Sequence, residues 1–540
     1  MNRLFLAVVA LVGLWAAACS NGGTVVTPPP PTGPFSVSSL NGQFAFTTNG
    51  EVATTTSIPT SFARVGSFIA DGMGHITGGV EDANTLTVGI TGPAMITGGT
   101  YTVNPNGHGT LSVTVNGASL MFSITLTSTD QGFLVDLTSN ANQASTGSGN
   151  FFKQDPSKFL PSGFNGSYAF DFTGFYPDGN DNPTSIIGQL ISNSGGVLSP
   201  SVEDVNEAGL TSSLVGISGN YSADSLNPGA SLTSFGRGVA QINDGGSNPA
   251  FVFYIVDGTR VRFLSSSAAG LLLGDAVAQA NVPTQASSFN SGFVFALGGA
   301  DVSAGGTPLS RLGRFTANGA TVTAALVDTN DAGKNVQTNS ITSGTITIDP
   351  AGSGRGTLTF KDPNQSAAYE FVFYLSTPSS GVIQDVAGTN FVSGNTSGFV
   401  SDGSLNAQTA GPFSGSNVSG PFGFNWSGQS IQTSSKVEDE EDIIGQVGVS
   451  SLSLTGVADI NEFSGGVIPN AVASGTLTLA GDGTGGDGKR SAMTVTLKST
   501  SSTNINFVPY VVSPGLILFA STDNNRVVIG TLQSQPTTLP

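Results

Sequence analysis

The chain has 540 residues, a formal net charge of −18, 10% charged residues, 74 glycines and one cysteine. With no basic patch to neutralise phosphates, nucleic acid is disfavoured as a partner, and so is docking on an anionic lipid surface. Disulfides cannot hold such a chain together. His-based metal or catalytic sites are nearly excluded as a general property, because the histidines are His75 and His108 alone.

Arg3 precedes an apolar run, Leu4 to Ala18, which is shorter than the ~20 residues of a membrane span and suits a secretory leader. The run ends in Ala16-Ala17-Ala18-Cys19, which resembles the bacterial lipoprotein cleavage box, although Ala16 stands where Leu is commoner. The resemblance implies that 1–18 is a signal peptide and that Cys19 is lipidated and begins the mature chain. Ser20 after the cysteine, rather than Asp, resembles an outer-membrane address. Residues 19–36 carry Pro28 to Pro31 and Gly33-Pro34, an extended tether with no core.

From Gly42-Gln43-Phe44-Ala45-Phe46 onward the chain repeats itself. The opening aromatic returns as Tyr168, Phe293 and Phe422, a period of about 125 residues. An Asp-x-Asn pair follows each one: Asp82/Asn84, Asp204/Asn206, Asp328/Asn330 and Asp459/Asn461. Four tandem units are therefore expected, at 37–156, 157–283, 284–413 and 414–540.

Within the first unit, apolar residues alternate along Phe44–Phe46, Ser61–Ala70, His75–Val80, Met95–Val103, Thr110–Val115, Met121–Thr127, Phe133–Leu137 and Gly149–Gln154. Asp71-Gly72 and Asn104-Pro105-Asn106-Gly107 are turn signals between them. About eight antiparallel strands per unit define an all-β fold. Short turns favour an up-and-down barrel over a two-sheet sandwich. The opening Gly-x-aromatic-x-Phe strand resembles the first strand of lipocalin- and avidin-type barrels. A glycine in the second strand recurs at 66, 188, 313 and 445. A closing Gly-x4-Gln recurs as Gly149/Gln154, Gly274/Gln279 and Gly530/Gln535, and the third unit reads as lacking it.

The Asp-x-Asn pairs are the best candidate sites. Residues i and i+2 share a strand face, so each pair could offer oxygens to a cation or a polyol. The favoured reading is structural: the strand ends at Asp82, whose carboxylate accepts from backbone amides of the turn. Were the strand to continue, Val80, Asp82 and Asn84 would all point inward. Asp178-Gly179-Asn180-Asp181-Asn182 resembles the start of a calcium loop, but Pro183 occupies the glycine position. Asp482 to Gly488 reads as a flexible turn, and the acidic run Glu438 to Asp442 as a solvated loop. His108, Arg237 and Arg355 alternate at one place between glycines and read as polar hairpin residues.

The whole of 37–535 resembles bacterial surface lipoproteins built of Gly-rich β repeats, on motifs such as Ala70-Asp71-Gly72 and Gly354-Arg355-Gly356-Thr357. That resemblance brings no activity with it and supports architecture and localisation only, a lipid-anchored envelope protein. The protein's expected role is non-enzymatic, structural, adhesive or interacting, with no cofactor. Its expected partners are the membrane, through the lipid, and a surface protein or glycan. The rival expectations are barrels that hold small apolar or sugar ligands and, less favoured, a secreted hydrolase. Abundant inward phenylalanine leans toward barrels that are filled.

Overall fold

The computed structural model describes residues 31–539, apart from 55–58, 139–142, 160–162, 178, 224–231, 246–247, 268–269, 364–367, 387–397, 433–436, 480–489 and 500. The leader, Cys19 and most of the tether therefore lie outside the described residues.

The described residues form four closed eight-stranded antiparallel barrels in tandem. In each, neighbours along the chain pair as a meander, and the first strand closes the circle by pairing with both the second and the last. In the first barrel Phe44 lies opposite Phe68 on one side and Lys153 on the other. The last strand of that barrel comes in two pieces, Gln143–Ser145 and Ser148–Lys153. The fourth strand of the third barrel is likewise split, into Lys334–Ile341 and Gly344–Ile348. The preference for barrel over sandwich is borne out. Closure pairs the strands of each barrel on both sides, and among the described residues the split pieces Gln143–Ser145 and Lys334–Ile341 are the strands paired on one side alone.

The barrels are filled. Phe44, Phe46, Phe68, Phe122 and Phe151 stack inside the first, with ring centroids 5.5–6.5 Å apart. A residue four positions before the opening aromatic stoppers one end of each barrel. It is Leu40, Phe164, Phe289 or Val418, each at most 1% exposed. The second-strand glycines make room for the next aromatic in line. A Cβ at Gly66, Gly188, Gly313 or Gly445 would stand 2.3–2.8 Å from the ring of Phe46, Phe170, Phe295 or Phe424. Inside the fourth barrel, among Phe424, Trp426 and Phe519, about 10 Å³ is left, roughly the lower limit for one water.

Polarity is apolar inside and hydroxyl-rich outside. Exposed pairs such as Thr102–Thr110 and Thr347–Thr357 link adjacent strands. A membrane-spanning barrel has the opposite arrangement, with an apolar band on its outer face.

Candidate functional site: four seams that close a ring

The four Asp-x-Asn pairs do not end strands. They lie within the third strands His75–Thr85, Val197–Glu207, Thr321–Asp331 and Ser453–Glu462. The expectation of a turn is therefore corrected, and so is the expected direction. Val80 belongs to an apolar cluster on the outer face of its barrel, together with Val65 and with Val252, Tyr254 and Leu264 of the next barrel. Asp82 and Asn84 share that face. They are fully buried because a neighbouring barrel covers them, not because they point into their own core.

Each pair grips the following barrel in the same way. Arg237 donates to Asp82 through Nε and Nη2, both at 2.7 Å, and the Tyr254 hydroxyl donates at 2.7 Å. Arg355 and Tyr374 hold Asp204 with the same geometry and distances. Arg490 (2.8 Å) and Tyr510 (2.6 Å) hold Asp328. The asparagines add amide donors. Asn84 reaches the carbonyls of Ser265 and Gly270, Asn206 those of Asp385 and Phe399, and Asn330 those of Ser521 and Arg526.

The fourth pair does not face solvent. Asp459 and Asn461 turn back onto the first barrel. His108 Nε2 lies 2.9 Å from Asp459, Ser123 donates to the same carboxylate, and Asn461 donates to the carbonyls of Asp136 and Ser145. The last barrel thus docks on the first through the surface that every other barrel uses on its successor, and the four close into a ring.

A glutamine at the end of each barrel completes the seam. Gln154 donates to the carbonyls of Phe235 and Ile255, Gln279 to Ser353 and Leu375, Gln408 to Val511, and Gln535 to Asn106 and Leu126. The third unit does carry the Gly-x4-Gln ending, as Gly403/Gln408, contrary to the sequence reading. The residues read as bland hairpin positions, His108, Arg237 and Arg355, are the partners of the aspartates. Arg490 is the fourth of the set, hidden in the sequence because Lys489 and Ser491 stand where the others have glycines.

The electrostatics follow from burial. Burial and the neighbouring carboxylates push the Tyr254, Tyr374 and Tyr510 hydroxyls well above the ordinary phenol value, so all three remain donors. Burial raises the Asp328 carboxyl despite its donors. At Asp459 burial also opposes ionisation, but hydrogen bonds and charge from His108, with help from Ser123, hold the carboxyl below its usual value. A buried pair of this kind adds little net stability over an apolar one, yet breaking it is expensive. The pairs therefore set which face meets which.

The acidic run is a further correction. It is no solvated loop but part of strand Val437–Ser450, and Asp439, Glu440, Glu441 and Asp442 are all buried. Strand alternation sends Glu441 into the barrel, where Arg526 and the Trp426 indole donate to it. It sends Glu440 and Asp442 outward into the closing seam, onto Thr146 (2.6 Å) and Ser148 (2.7 Å) of the first barrel. Burial drives both carboxyls upward, Asp442 to about 7, and the charge of Asp442 raises Glu440 further. Of the other sequence candidates, the loop beginning at Asp178 is only partly described, with Asn182 donating to Glu207 (2.8 Å). Asp482 to Gly488 lies outside the described residues.

The chain is thus a ring of tandem, solid-cored up-and-down barrels. No family model and no curated protein matches its sequence. Among solved structures, it is similar to a transferrin-binding protein B (TbpB) double mutant from Haemophilus parasuis. That match has 10% identity, covers 75% of this chain and 83% of that one, and has a TM-score of 0.20. The isotype 1 TbpB of serogroup B Neisseria meningitidis gives 10% identity, 75% and 85% coverage, and a TM-score of 0.18. Intact Ap-TbpB, with its N and C lobes, gives 11%, 77% and 86%, and 0.16. Superpositions this loose carry no weight on barrel arrangement or on binding.

Proposed function

We propose that the protein is a non-enzymatic, lipid-anchored component of the bacterial cell envelope, whose barrel ring is a scaffold for an interaction. The observation that carries this reading is the economy of the fold. The barrel interiors are packed with aromatic rings, while the polar residues that recur from unit to unit are spent on joining barrel to barrel. Barrels filled in this way favour the scaffold over the reading in which each barrel holds a ligand. The Ala-Ala-Ala-Cys19 ending supplies the anchor, and the Pro-rich tether up to Pro34 holds the ring off the membrane.

The anchor is tested by fractionation and palmitate labelling. Wild type is expected in the membrane fraction with label, and Cys19→Ser unlabelled and released. A Cys19→Ser protein that stays membrane-bound and labelled overturns the anchoring.

A further inference from the structure

The ring has a hole, and its lining is unlike the seams. First strands and their neighbours enclose a cavity of roughly 590 Å³ reached by all four barrels. That is within the size range of small-molecule sites, about 300–1,000 Å³. The first barrel contributes Glu51 and Phe62, the second Asp171 and Arg260, the third Ser404 and the fourth Glu440.

Comparing the units separates what the fold needs from what it does not. The seam residues recur in kind around the ring. The cavity positions do not. The offset occupied by Asp171 is Thr47, Ala296 and Asn425 in the other units; the offset of Glu51 is Phe175, Ala300 and Gln429. The third barrel closes with small apolar residues at both offsets, so closure does not require a carboxylate at either. Yet charge gathers there in a partly desolvated space, against the cost of burying it. Arg260, the cation among the lining residues, is committed to Asp275, 2.6 Å away, and Arg262 approaches the same carboxylate at 3.8 Å. Asp171 and Glu440 are met by neutral donors, the Asp275 amide and the Thr146 hydroxyl. Apolar Phe62, Phe175, Leu271 and Leu273 complete the wall.

We propose that this axial cavity binds an organic cation with ammonium groups on an alkyl chain, of the polyamine class. Asp171, Glu51 and Glu440 receive the ammonium groups, and the apolar wall receives the methylenes. The titration of the lining agrees. Burial, with Asp402 and Asp275 nearby, pushes Asp171 up to about 7 against the opposing charge of Arg260, and burial raises Glu440. A bound cation would relieve that cost by favouring the ionised forms.

The test is calorimetric titration of the full chain with spermidine at low salt, with calcium and glucose as separate arms. Expected is one saturable site, at least tenfold weaker in Asp171→Asn and in Glu440→Gln. Affinity should tighten between pH 6 and 8. It should not change in Asp71→Asn, which alters a carboxylate outside the cavity. Gln429→Lys, which places an ammonium in the wall, should block binding without removing a carboxylate. Melting curves of each variant check folding; both neutralising variants should melt no lower than wild type. Absence of saturation, equal binding in the neutralised variants, or equal saturation by calcium or glucose each overturns the proposal. Failure here leaves the anchoring intact, since Cys19 takes no part in the measurement.

Discussion

Three seams join barrels that are consecutive in the chain; the fourth joins the last barrel to the first. The consecutive seams pair aspartate with arginine and tyrosine, neither of which changes charge near neutral pH. The closing seam has His108 where arginine stands elsewhere and Thr125 where tyrosine stands. Its apolar contact is smaller: Phe133, Val135 and Ile444 are its buried members among the described residues, while the first seam buries Ala45, Val65, Val80, Val252, Tyr254 and Leu264, among others. It also lacks a backbone bond. Asp155, Ala280 and Thr409 each donate an amide to the next barrel, and the equivalent position in the last unit is Pro536, which has none. In exchange it gains Glu440 and Asp442. The chain itself tethers three seams and leaves the fourth held by contacts alone; raised carboxyls lie there, as Asp402 does in the second seam, where it accepts from Thr173 and is pushed by burial to about 6.

The largest expected effect comes from breaking a consecutive seam. Arg237→Ala strands Asp82 with no cation beside it, and removing one partner of a buried pair costs about 3–5 kcal/mol. Denaturant melts should show a lowered midpoint. Asp82→Asn should be costly as well, since an amide cannot meet a guanidinium as a carboxylate does. Had Asp82 merely capped a turn, that change would be mild, so a wild-type melt for Asp82→Asn sinks the seam assignment.

The next effect is one of pH and belongs to the closing seam. Glu440 and Asp442 are raised when folded, so they favour the closed ring while protonated. The advantage is complete below the ordinary carboxylate range, near pH 4, and is lost as pH rises through about 7. Asp459 works the other way: being depressed, it contributes above its unfolded value and fails only in stronger acid. Hydrogen exchange should therefore show the amides around Thr146 and Ser148 losing protection between pH 5 and 8, while those around Tyr254 do not. Asp442→Asn should flatten the profile, and equal pH dependence at all seams would remove the distinction.

How much of this was legible in the chain depends on which face a residue occupies. The strands were legible because Phe44, Phe46 and Phe68 alternate with polar residues, and turns such as Asp71-Gly72 punctuate them. The seams were not, because period-2 alternation cannot distinguish a face buried in its own core from one buried under a neighbour. Val80, Asp82 and Asn84 look the same either way. A signal was present in the co-recurrence of a cation (His108, Arg237, Arg355, Arg490) and a glutamine at the period of the aspartates, which pointed to matched partners. The run Glu438 to Asp442 misled for a related reason. Acids in sequence read as solvated, but a strand sends alternate ones to opposite faces: Glu441 meets Arg526 inside, and Glu440 and Asp442 meet hydroxyls of the first barrel outside.

The smallest effect tests what Pro536 removes. Gln154 and Gln535 do the same work at two seams, each donating to two carbonyls of the neighbouring barrel. Truncation to alanine should cost about 1–2 kcal/mol at either, for the bonds lost and the carbonyls left buried. At the first seam the Asp155 amide still bonds Val256 at 2.8 Å next door and the chain still tethers the two barrels. At the closing seam neither support exists. Gln535→Ala should therefore raise local exchange around Leu126 and His108 more than Gln154→Ala raises it around Ile255, although the two variants lose similar global stability. If the two variants loosen their seams equally, the closing seam owes its weakness to His108 and Thr125 rather than to the missing backbone bond. The double variant Gln535→Ala/His108→Arg then separates the two contributions, since a restored arginine should recover protection at Asp459 but not at Leu126.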